Sequence, residues 1–215
     1  MLVDAYYKFI WIDVGGNGAQ SDAQIFNASE LSDCLKNGQI GFPDADFLPN
    51  DNQNVPYFIL GDDAFALRTY LMKPFSHRNM TIEELICNYR ISRGRHIAEN
   101  GFGILAQRWQ ILLTTMLHDA ATVRLIIETC VCLHNLMRIR YPALPAAAAV
   151  DYEDADHNIV PGSWRDDANM HEMDGIVGAN HDTRAAKKQR QLLKLYFNSP
   201  AGSVPWQDRM IRLRE

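Results

Sequence analysis

The stretch YFILGDDAF (residues 57–65) decides how this chain is read. The apolar run Tyr57 to Leu60 is too short for a helix and is bounded by Pro56 and Gly61, which fits a buried central strand. Asp62 then lies at the C-terminal tip of that strand, the edge where functional groups gather in open α/β sheets. Asp63 adds little, because adjacent residues on an extended chain point to opposite faces.

Working downstream, Pro74 closes the next segment, and helical spacing with few breakers runs from Thr81 to about Thr115. Thr81 and Glu84 form the Thr-x-x-Glu pattern that satisfies two amide groups at a helix start. Ile97, Gly101, Ile104, Leu105 and the cluster Trp109 to Leu113 form one apolar stripe, with Arg95, Glu99 and Arg108 elsewhere on the wheel. A second helix is expected over roughly Ala121 to Ile139, with Leu125, Ile126, Cys130, Leu133 and Met137 as its core face, ending at Tyr141-Pro142.

Upstream, Met1 to Asp4 and Lys8 to Val14 have the β-branched and aromatic content of two strands joined by a short turn. Gly15, Gly16 and Gly18 follow without a Gly-Lys-Ser/Thr ending, so they are read as a strand-to-helix turn rather than a phosphate loop. Ser21-Asp22 opens one or two short helices, and residues 36–56, dense in Gly, Pro, Asn and Asp, read as a surface loop. Beyond Pro145 an alanine run and the acidic DYEDAD suggest a linker, and Thr183 to Phe197 regains helical spacing. The expected organisation is an α/β domain over residues 1–143 and a linker and tail over 144–215, with a helix near 183–197.

Composition narrows the class. The chain has 215 residues, 47% hydrophobic and 22% charged, enough for a packed core and unlike a wholly disordered chain. No uninterrupted apolar run reaches the roughly 20 residues of a membrane helix, and the N-terminus lacks the pattern of a signal peptide, so no membrane association is expected and the chain reads as soluble and intracellular. Cys34, Cys87, Cys130 and Cys132 show neither zinc-site nor disulfide spacing and are expected to be reduced thiols. The net charge of −5 argues against wholesale coating of nucleic acid. Residues 81–143, with 7 basic and 5 acidic side chains, are the only net positive third, which permits local DNA contact.

Phosphodiester chemistry with two metal ions needs carboxylates converging from different elements, because Mg²⁺ takes hard oxygen ligands while keeping waters and substrate oxygens. Asp62 at a strand tip and Glu99 within a long helix are the two acids whose context suits this, and strand, crossover and helix can bring both to one sheet edge. The alternative at each position is structural: a strand-end aspartate caps turns, and a helical glutamate pairs with a nearby arginine.

Several blocks resemble the PIF/Harbinger transposases, DDE-type endonucleases, in the same order. They are Phe58-Ile59-Leu60-Gly61-Asp62-Asp63-Ala64-Phe65 with Leu71-Met72-Lys73-Pro74-Phe75, and Asn88 to Arg95 followed by Glu99 to Leu105 with Arg108-Trp109. Leu2 to Ala5, Tyr7 to Phe9, Gly15 to Gly18, Ser21 to Ala23 and Leu133-His134-Asn135 resemble flanking parts of the family, and Gly162-x-Trp164-Arg165, Tyr196-Phe197 and Trp206-Gln207 resemble its tail.

The resemblance implies a ribonuclease-H-like mixed sheet with flanking helices and an Asp-Asp-Glu triad that binds Mg²⁺ or Mn²⁺ and cuts or joins DNA strands in the nucleus, beside a Myb-like DNA-binding partner. Asp62 matches the second aspartate and Glu99 the glutamate; Arg95 and Arg108 could reach phosphate or steady Glu99. The family's first aspartate lies in an Asp-Gly-x-His-like motif that nothing here matches, so the expected fold is N-terminally truncated, lacking the first catalytic strand. Asp4, Asp13 and Asp22 are weak substitutes, Asp22 being better suited to a helix cap. The implied function is a metal-dependent DNA nuclease; the alternative is a catalytically dead, domesticated remnant acting as an interaction or structural protein. Trp164, Trp206, Tyr196 and Phe197 are expected to anchor the tail, His134 to satisfy backbone, and the basic run Arg184 to Lys194 to be a solvated helix face.

Overall fold

The computed structural model describes residues 1–16, 20–142, 150–165 and 181–212. The fold is mixed α/β. In chain order it contains β1 (Leu2–Val3), β2 (Phe9–Trp11), α1 (Asp22–Asn27), α2 (Glu30–Lys36), β3 (Asp46–Phe47), β4 (Asn54–Val55), β5 (Ile59–Leu60), β6 (Leu71–Met72), α3 (Ile82–Arg108), α4 (Ala120–Arg140), β7 (Tyr152–Glu153), β8 (Ile159–Val160), α5 (Arg184–Phe197) and α6 (Gln207–Arg212). Two compact units divide the chain: Met1–Gly18 with His96–Asp174, and Ala19–Arg95 with Gly175–Glu215. Gly18 of the glycine turn, the alanine run and residues 166–180 lie outside the described residues.

In the first unit β1 and β2 pair antiparallel around a turn closed by Asp4, whose Oδ1 accepts from the amides of Tyr6 (2.8 Å) and Lys8 (2.9 Å). That is a turn-capping aspartate with a Lys8 ion pair at 3.2 Å, which leaves little of it for a metal. The edge of β2 is completed by a side chain: Asn135 accepts from the Phe9 amide (2.9 Å) and donates to the Phe9 carbonyl (2.8 Å). His134 Nε2 donates to the Tyr7 carbonyl at 2.6 Å and Arg138 Nε to the Tyr6 carbonyl at 3.0 Å. An unpaired strand edge is thereby satisfied from α4. These contacts set which face of α4 is inward. Cys130, Val131 and His134 are buried, whereas Leu125 and Leu133, expected in the core, are exposed. Phe9, Leu105, Cys130 and Val131 form the core of this unit, with Phe102 edge-on to Phe9 at 5.3 Å. Gly101 lets β1 approach α3, since a Cβ there would lie 3.1 Å from Val3.

Among the described residues one helix, α4, is long and apolar enough, by length and composition alone, to cross a membrane. Charged residues such as Arg124 and Glu128, paired at 2.7 Å, interrupt its apolar run.

In the second unit β5 pairs parallel with β6, Ile59 opposite Leu71 and Leu60 opposite Met72. The strand is shorter and less buried than its apolar run suggests: Leu71 and Met72 are buried, Ile59 and Leu60 half-buried. Leu67, Met72, Ala186 and Leu193 form one core cluster and Ile86, Tyr89 and Ile211 another. The stretch 36–56 is more than a loop, since β3 and β4 form a hairpin in it with Val55 buried. At α1 the N-cap is Ser21, in a capping box with Gln24, so Asp22 is the first helical residue and not the cap.

The Thr81–Glu84 capping box starts α3: the Thr81 amide donates to Glu84 Oε2 (2.9 Å) and the Glu84 amide to Thr81 Oγ1 (3.4 Å). The helix ends at Arg108, earlier than the periodicity suggests, and Gln110–Leu113 continue it only as a single tighter turn.

Candidate functional site

Asp62 follows β5 by two residues and is half-buried. Its Oδ1 accepts from the Ala64 amide at 2.9 Å, the geometry of a side chain closing its own turn. Among the described residues no donor reaches its Oδ2. The turn is held from behind by Lys73, a buried lysine whose Nζ donates to the Asp63 carbonyl (3.2 Å) and lies 3.5 Å from Asp63 Oδ1 and 3.8 Å from Asp182 Oδ1. Buried ammonium groups persist only when paired in this way. Arg95, in the same unit, is half-buried and has no ion-pair partner among the described residues.

In the first unit Glu99 stands at the centre of a polar knot that tail residues build on α3. Asp151 forms its base, with a side chain only 2% exposed. Its backbone is clamped by Asn100, which accepts from the Asp151 amide (2.9 Å) and donates to the Asp151 carbonyl (3.1 Å). Its carboxylate accepts from the Gly162 amide (2.9 Å) and from Arg165 Nε at 3.0 and 3.1 Å. Arg165 Nη2 bridges from Asp151 to Glu99 Oε2 at 3.2 Å. Burial alone would raise the Asp151 pKa, but the Arg165 and Gly162 bonds outweigh it, so this carboxyl lies below its ordinary range.

Trp164 fixes the position of Arg165. Its ring packs on α3 at Gly103, where a Cβ would come within 2.4 Å of it, and its Nε1 donates to Asn100 Oδ1 at 3.2 Å. The Arg165 guanidinium in turn stacks 4.3 Å from the Trp164 ring centroid. Trp164 therefore anchors the tail, as expected, while the structural role of Asp151 and Arg165 went unread. The separate signals were there: a Gly-x-Trp-Arg run, an acid after an alanine run, and a glycine pair on α3. Nothing in their spacing joins residues that are 52 and 66 positions from Glu99.

Could this knot hold a divalent ion? His96 Nδ1, Glu99 and Asp151 offer ligand atoms within 4.8 Å of one another. The His96 Nδ1 atom is buried without a hydrogen-bond partner, 3.9 Å from Asp151 Oδ2 and 4.0 Å from Glu99 Oε2. Both Asp151 oxygens are already engaged by Arg165, and a guanidinium neutralises that pocket. Two atoms of the donor set thus stay open to a metal, Glu99 Oε1, which among the described residues receives no hydrogen bond, and His96 Nδ1. Carboxylate oxygen suits Mg²⁺ or Mn²⁺. Arg108, half-buried in the same unit, lies over the Trp109 ring at 5.8 Å. His134 is committed to the Tyr7 carbonyl and is not a ligand; burial holds its pKa below the ordinary histidine value.

Compared with known proteins, residues 1–135 match a family described as DDE superfamily endonuclease. No curated protein matches the chain, and neither does any solved structure.

Proposed function

This chain belongs to the DDE superfamily endonuclease family, and from that premise we propose that it is a divalent-metal-dependent nuclease acting on DNA phosphodiester bonds, of the PIF/Harbinger type. The reading takes residues 1–143 as a catalytic domain of ribonuclease-H-like lineage, working in the nucleus with a Myb-like partner, and residues 144–215 as its linker and tail. The observation that carries it is that Asp62 and Glu99, the two acids matching the family's motif, each keep one carboxylate oxygen without a hydrogen bond among the described residues.

Asp62 and Glu99 would hold Mg²⁺ or Mn²⁺, which when bound stabilises the charge that develops on phosphodiester oxygens. The remaining work belongs to side chains of this chain. The Ala64 amide fixes the rotation of Asp62 through Oδ1, and Arg165 fixes Glu99 through Oε2. Arg95 and Arg108 supply permanent positive charge for phosphate.

A second reading, a non-catalytic interaction protein keeping the fold, is favoured by one observation: Arg165 binds Glu99 Oε2 and both carboxylate oxygens of Asp151, so the polar knot is neutralised from within. Supercoiled plasmid DNA incubated with the chain in Mg²⁺ or Mn²⁺ separates the two. Nicking that is abolished by EDTA and by Asp62→Asn or Glu99→Gln supports the nuclease. Nicking absent in both metals, with the folded chain present, leaves the non-catalytic reading.

A further inference from the structure

Helix α5 carries five basic residues and no acidic one in a chain whose net charge is −5. The structure divides them into two groups. Arg190 serves the fold: its Nη1 donates to the carbonyls of Pro74 (2.8 Å) and Lys73 (3.4 Å), and its guanidinium lies 4.1 Å from the Phe75 ring centroid. Lys194 leans toward the same ring at 6.0 Å. Arg184, Lys187 and Lys188 do none of this. They are exposed and have no ion-pair partner among the described residues, and Gln191 continues the same outer face.

The opposite face fixes the helix. Ala186, Gln189, Leu193 and Tyr196 are buried, Gln189 Nε2 donates to the Thr69 carbonyl at 3.0 Å, and Thr183 Oγ1 caps the Ala186 amide at 3.3 Å. The three cations therefore sit on a rigid rod at i, i+3 and i+4, about 6 Å from first to last along the axis. Arg184, the first residue of the helix, also sits at its positive pole, where a cation costs about 0.3–1 kcal/mol, while Lys187 and Lys188 lie at and beyond the end of the first turn. A bound anion would offset that cost at Arg184.

We propose that the outer face of α5, through Arg184, Lys187 and Lys188, binds the phosphate backbone of duplex DNA. This rests on DNA being the substrate and adds a sequence-independent holding surface. Charge complementarity selects the occupant: three permanent or near-permanent cations with a neutral amide donor beside them match phosphates, which need no base contacts.

The test is the salt dependence of binding. A fluorescent 30-base-pair duplex is titrated with the full chain in EDTA at several KCl concentrations, alongside Arg184→Gln/Lys187→Gln/Lys188→Gln. Each lost phosphate contact should make the slope of log K against log salt less negative by about 0.9, so the triple variant changes it by about 2.7 and each single variant by a third of that. Unchanged circular dichroism confirms that the helix persists. A triple variant with wild-type slope and affinity overturns the proposal, while metal-dependent nicking, if retained, leaves the nuclease reading standing. Failure of the wild-type chain to bind duplex DNA at all overturns both.

Discussion

Replacing Arg165 with alanine should open the knot around Glu99. The substitution removes every guanidinium contact to Asp151 and the 3.2 Å bond to Glu99, leaving a carboxylate only 2% exposed with the Gly162 amide as its remaining donor. Stripping one partner from a fully buried pair costs about 3–5 kcal/mol. The Arg165 side chain is 39% exposed, so water replaces part of what is lost, and about 2–4 kcal/mol is the expectation. Because the chain has two units, a single melting temperature would blur this. Native-state hydrogen exchange reads it locally, at the amides of Asp151 and Gly162, both bonded within the knot. Their protection should fall about 30- to 700-fold, since each 1.4 kcal/mol is tenfold. Arg165→Lys should fall between the two, keeping charge but not the planar fork.

The pH dependence follows in sign. Asp151 has a lowered pKa in the folded chain, so its contribution is present above the unfolded value near 3.9 and is lost as pH falls through the lower, folded value. With Arg165 removed, burial meets weaker opposition, chiefly the Gly162 amide bond, and the loss begins at higher pH. Protection in Arg165→Ala within threefold of wild type would refute the account of the knot.

Three further outcomes are expected. Gly103→Ala should displace Trp164, since its Cβ would lie 2.4 to 2.9 Å from the ring, and quenching by acrylamide should rise as the indole becomes accessible; unchanged quenching would contradict the packing. His134, with its pKa lowered by burial, binds a proton less readily when folded, so the unfolded chain takes up the proton first and stability of the first unit should decline as pH falls below about 6.5. Urea titrations between pH 8 and pH 5 check this, and His134→Gln should flatten the profile. Thiol labelling of the native chain should be fastest at exposed Cys132 and negligible at Cys87, whose pKa burial pushes up to about 12.

Legibility in the sequence tracked how local the physics is. Thr81 and Glu84 start α3 by a contact three residues apart, and the boundary was readable. The apolar run before Gly61-Asp62 marked β5, though its parallel partner Leu71–Met72 and its partial exposure depend on distant segments. On α4 a choice among apolar residues placed Leu125 and Leu133 inward. His134 and Asn135, which bond the β2 edge some 126 residues away, rotate the helix so that these leucines face out. Polar residues decided the register there, and an apolar periodicity has no access to that. The same holds for the site. Glu99 and Asp62 stood out by position, but the residues that orient Glu99 come from a stretch whose acidic, proline- and glycine-containing composition reads as linker. Only the folded chain brings Asp151 and Arg165 to α3.

The metal-binding roles proposed for Asp62 and for Glu99 are tested most directly by Mn²⁺ binding, which requires no turnover. Free Mn²⁺ is counted by electron paramagnetic resonance during titration of the full chain, of Asp62→Asn and of Glu99→Gln. Saturable binding displaced by Mg²⁺ is expected, weakened at least about tenfold, or 1.4 kcal/mol, by either substitution. Binding with the same affinity in all three proteins would contradict those roles.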